Sequence, residues 1–76
     1  MKVETFRSAI RTRPFQVFTV KTASGETYTV RHPELVAISS TGQSVGLFLD
    51  EAFAVLDMES ITEFVVTRDR PRETLG

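Results

Sequence analysis

Cysteine and tryptophan are absent from the 76-residue chain, and histidine and tyrosine occur once each. Without thiols there is no disulfide framework and no thiolate metal site to reinforce a core that is small at this length. Packing within the chain or against partners has to supply that stability. A mass of 8.5 kDa leaves room for one domain and not two. No window approaches the roughly 18 consecutive apolar residues that cross a bilayer, and Met1-Lys2-Val3-Glu4-Thr5-Phe6-Arg7 lacks the apolar stretch of a secretory signal. The expectation is a cytoplasmic protein with no membrane partner, which the missing thiols also suit.

Catalytic signals are equally sparse. There is no Gly-rich phosphate loop, no paired metal-ligand spacing and no nucleophile elbow. The sole histidine, His32, stands near Glu34 and could form an acid/base pair with it. A general base with no evident nucleophile or oxyanion donor is not a site, however, and a histidine before proline at a strand end serves well as a turn residue. Arg31, His32 and Glu34 therefore either line a pocket or hold a turn. Asp50, Glu51, Asp57 and Glu59 lack the spaced oxygen ligands of a calcium loop and read as solvated turns. The expectation is a protein that is not an enzyme and takes no cofactor or metal.

Nine basic and ten acidic side chains leave a net charge of -1, which gives no global attraction toward nucleic acid or anionic lipid. The distribution is uneven. Lys2, Arg7, Arg11 and Arg13 face only Glu4 within residues 1–13, whereas Asp50, Glu51, Asp57, Glu59 and Glu63 stand unopposed within residues 50–66. These complementary segments are satisfied within one molecule, between copies, or by solvent.

Val3, Phe6 and Ile10 recur at helical spacing, so the chain opens with an amphipathic helix ending near Thr12, before the Arg13-Pro14-Phe15 elbow. Gln16 to Thr22 and Thr27 to Arg31 flank the turn Ala23-Ser24-Gly25-Glu26, which predicts a hairpin. Its inner face carries Phe18, Val20, Tyr28 and Val30. His32-Pro33-Glu34 interrupts the ladder with one helical turn, after which Leu35 to Ile38 is extended. A polar turn over Ser39 to Ser44 precedes the strand Val45 to Leu49. Asp50-Glu51 leads into Ala52 to Leu56, and a brief helical turn over Asp57 to Ser60 precedes Ile61 to Thr67. Residues 68–76 have little to bury and are expected to form a flexible tail.

A helix and five strands joined by tight turns predict a mainly β fold: a strongly bent antiparallel sheet closing into a small barrel within residues 1–67, with the helix capping one end. Gly46 to Leu49, Phe53 to Leu56 and Phe64 to Val66 are continuous apolar runs, so both of their faces need cover. One small interior cannot take them all. Phe48, Phe53, Val55 and Val65 then meet either the helix or another subunit, and because the three apolar residues of the helix offer little area, contact with another subunit is the expectation.

Arg13-Pro14-Phe15, Ser24-Gly25 and Arg31-His32-Pro33-Glu34 resemble the R-P-F, D/S-G, R-H-P-E pattern of a group of small bacterial proteins. That likeness covers most of residues 13 to 66 and implies no activity. The order of helix, five strands and a short turn before the last strand resembles the Sm-like fold, a variant of the SH3-like small barrel. This resemblance implies a ring in which the last two strands of neighbouring subunits pair edge to edge. It also implies a Lys-His pair for uridine-rich RNA in the turn before the last strand, but aligning on Ile61 places Met58 and Glu59 there. With Asp57 alongside, those residues repel phosphate where the family attracts it. The expected function is a homo-oligomeric binding or scaffolding module; the alternative is RNA binding through Arg7, Arg11 and Arg13 on or just after the helix.

Overall fold

Alternating apolar residues on a strand need a second layer to cover them, and the chain provides two sheets for this purpose. The structure is a computed structural model describing residues 1–67, and the tail expected over 68–76 lies outside the described residues. Helix α1 (Val3–Arg11) precedes β1 (Phe18–Thr22), β2 (Thr27–Val30), a 3-10 turn (Pro33–Leu35), β3 (Val36–Ile38), β4 (Ser44–Phe48) and β5 (Phe53–Asp57). A second 3-10 turn (Met58–Ser60) leads to β6 (Ile61–Val66). The strands form two three-stranded sheets, β2-β1-β6 and β3-β4-β5, with every pairing antiparallel.

The mainly β fold with an N-terminal helix is as expected, but the single five-stranded bent sheet is not what forms. Six strands lie in two sheets that do not close into a barrel. The reason is local. Pro33 has no N–H to give a ladder, and it opens the first 3-10 turn at a point where His32 is still extended. What the apolar pattern presents as one interrupted strand is therefore β2 in one sheet and β3 in the other. The second 3-10 turn makes the return crossing, from β5 to β6. Its start is held by the Asp57 carboxylate, which accepts from the Glu59 N–H at 3.3 Å, while the Met58 N–H donates to the Gln43 carbonyl at 2.8 Å.

The two hairpin turns with glycine follow the expected chemistry. Gly25 and Gly42 adopt φ of 92° and 76°, a region that side chains with a Cβ enter at a cost. Thr22, the buried polar residue of β1, shares a 2.9 Å hydrogen bond with the Ser24 hydroxyl and accepts from the Glu26 N–H at 3.2 Å. Its hydroxyl is thus satisfied at the hairpin end.

Phe18, Val20 and Val30 from one sheet meet Val45, Leu47 and Leu56 from the other, with Met58 and Ile61 closing the side where the chain crosses back. Helix α1 adds Phe6, which is completely buried. Its ring stands edge-on to Phe18 at 5.8 Å and to Phe64 at 5.3 Å, while Phe18 and Phe64 stack at 4.6 Å. Such pairs add to the free energy of area burial. Glu4 in the first turn and Arg11 in the last suit the helix dipole. Phe6→Ala is expected to cost about 3–5 kcal/mol, read as a lower urea midpoint, and Phe6→Leu much less. An alanine variant as stable as the parent would show that the helix is not part of the core.

Candidate functional site

In β4, Val45 and Leu47 point into the core, so Ser44, Gly46 and Phe48 lie on the outer face; in β5, Leu56 is inward and Phe53, Val55 and Asp57 are outward. The register places Phe48 opposite Phe53 and Gly46 opposite Val55, with Ala37 of β3 beside Gly46. Phe48, Phe53 and Val55 are 51%, 50% and 65% exposed, and the two phenyl rings meet at 4.7 Å. In this plate, Gly46 is what lets the Phe53 ring lie across β4. A Cβ there would overlap the Phe53 ring, which lies across the strand in the space a side chain would take. The outer face of β3-β4-β5 is thus apolar over Ala37, Phe48, Phe53 and Val55.

The other sheet has a different exterior. Thr29, Thr19 and Val65 form one row and Thr27, Lys21 and Glu63 the next, with the Thr19 and Thr29 hydroxyls 3.0 Å apart. Val65, 48% exposed, is an apolar residue in polar company. Of the four residues expected at a subunit contact, three share a face and Val65 belongs to the opposite sheet. Each nonetheless lies on or beside a sheet edge, because among the described residues β5 and β6 pair on one side only. Sequence patterning alone did not single out Ala37 and Gly46 as parts of the plate; they emerge only from the register.

Arg7 and Arg11, one helical turn apart, line a recess of about 320 Å³ with Ile10, Ile38, Ser39 and Ser40. Arg13 does not join them in lining it. Its guanidinium donates back to the carbonyls of Ile10 at 2.7 Å and Thr12 at 2.9 Å, closing the helix C-terminus. Arg31, His32 and Glu34 are exposed around the first 3-10 turn, where the His32 carbonyl accepts from the Leu35 N–H at 3.1 Å. At the position where the Sm-like resemblance expects a basic pair, Met58 is buried in the core and Glu59 is exposed. Asp57, Met58 and Glu59 border a second recess, about 400 Å³, with Met1, Gly42 and Gln43. Among the described residues no cluster of three His, Asp or Glu side chains could hold a metal ion. Nor is any helix among them long and apolar enough to cross a membrane.

Tyr28 is half-buried against the core, and its hydroxyl donates to Glu26 Oε1 at 2.9 Å. That hydrogen bond, with partial desolvation and the Glu26 charge, raises the phenol above its ordinary value. The neutral form is the one favoured in the fold. The resulting stabilisation is present below the pH at which an unfolded tyrosine ionises and fades as pH rises through the higher folded value. Glu26→Ala is expected to move the Tyr28 titration down, followed by near-ultraviolet phenolate absorbance, a signal with a single source in this chain. An unmoved midpoint would remove Glu26 as the cause. Compared with known proteins, the chain matches no family model, and no curated protein or solved structure is significantly similar to it.

Proposed function

We propose that the protein is a non-enzymatic homo-oligomeric binding or scaffolding module, assembling through the outer face of β4 and β5 and the bare edges of β5 and β6. The observation that carries this reading is the exposed group of Phe48, Phe53 and Val55. Contiguous apolar surface of this kind is a docking surface or a hazard, because leaving it in water forfeits about 25 cal/mol per Å². Two edges with unpaired N–H and C=O groups add a second demand. A second copy that pairs along the β5 edge and also lies over the adjoining face meets both. If β5 of one copy pairs with β6 of the next, Val55 and Val65 become neighbours at the seam, and the same contact repeats until the ring closes. The Sm-like resemblance implies this arrangement, with the last two strands as the joining elements.

RNA binding through the helix has less support. Arg7 and Arg11 do lie together at the recess, but Arg13 is engaged with backbone carbonyls and Met58 is buried. An RNA site of this kind would show an affinity falling steeply with salt.

Light scattering on the full chain is expected to give a mass several times 8.5 kDa. Phe53→Asp or Val65→Asp should reduce that mass while leaving the circular dichroism unchanged, since both residues are already exposed in the protomer and the charge is buried only at the contact. A mass of one protomer at working concentration ends the proposal.

A further inference from the structure

We infer that the recess between α1 and the end of β3 is a binding site for a phosphate monoester carried on a small apolar body. This inference is independent of assembly, since the recess shares no residue with the β4-β5 plate. Arg7 and Arg11 bring two guanidinium groups, always charged and forked to match an oxyanion, to a cavity whose lining contains no carboxylate. Ile10 and Ile38 supply apolar wall, and Ser39 and Ser40 supply hydroxyls. Ser39 is held in place: its hydroxyl accepts from the Ser44 N–H at 3.1 Å, and its own N–H donates to the Ser44 carbonyl at 3.0 Å. The cavity is therefore bordered by fixed backbone as well as by side chains.

The second observation is Arg7 Nε. This donor is shielded from solvent and has no hydrogen-bond partner among the described residues. A buried donor left unmatched is costly, and a turn of the guanidinium that brought Nε to a ligand oxygen in the recess would remove that cost. Arg11, by contrast, is exposed and free to swing onto an anion at the mouth. At about 320 Å³ the recess is at the small end of ligand pockets, of a size for one phosphate and a compact ring, not a polymer. A nucleic-acid track would need more cations in line, and the next one, Arg13, is turned back on the helix end.

The test uses the full chain, titrated at constant ionic strength with inorganic phosphate, phenyl phosphate and a short single-stranded RNA, read by amide chemical shifts. Phenyl phosphate should give saturable shifts centred on Ser39, Ser40 and Arg7, and bind more tightly than inorganic phosphate because the isoleucines contact its ring. Arg11→Gln should weaken it about tenfold, with the mass by light scattering and the spectral dispersion unchanged. Arg7→Gln should weaken it at least as much. Shifts that rise without saturation, or that equimolar chloride reproduces, would overturn the inference. So would RNA binding tightly while phenyl phosphate fails to bind, which would assign the arginines to a polymer instead. A loss of oligomer mass by Phe53→Asp with phenyl phosphate binding intact would keep the two readings separate.

Discussion

The fold depends on one ring. Phe6 is the completely buried residue of α1, and it stands edge-on to both Phe18 of β1 and Phe64 of β6. In a chain this short, with no covalent cross-link, that contact commits the helix to β1 and β6. Two results follow from it. The helix cannot also cover the outside of β4 and β5, so that face stays bare. And Arg7, next to Phe6 in sequence, is carried down with it far enough for its Nε to lose solvent.

The two sheets divide the surface by chemistry. The exterior of β2-β1-β6 pairs threonine with threonine and Lys21 with Glu63, side chains that water already satisfies. The exterior of β3-β4-β5 has a glycine where a polar residue would ordinarily stand, and an aromatic ring fills the gap. The apolar side chains left in water are therefore concentrated on one sheet, where Phe48, Phe53 and Val55 stand together.

Local elements were largely legible from residue order. Alternation in Phe18, Thr19, Val20 and Lys21 locates β1 and its inward face, Gly25 locates the hairpin, and Pro33 and Asp57 locate the two 3-10 turns. Strand partnership was not legible. A proline break looks the same whether a strand resumes in its own sheet or crosses to another, and only long-range pairing decides which. The site was visible in part. Exposure of Phe48, Phe53, Val55 and Val65 follows from an excess of apolar side chains over interior space, but their division between two sheets depends on which strands pair, and the outward face of Val65, on a strand that begins with buried Ile61, depends on the bulge at Lys21/Thr22. The three arginines form a set by charge alone; a guanidinium returning to carbonyls one and three residues back is invisible to charge.

The edge strand β5 has a consequence for how the chain behaves in solution. The segment Ala52 to Leu56 is apolar, short and uncharged, and most of it forms β5, which among the described residues pairs on one side only. An edge of that composition is a template for any extended apolar peptide, so unwanted pairing along it rises with concentration and recedes on dilution.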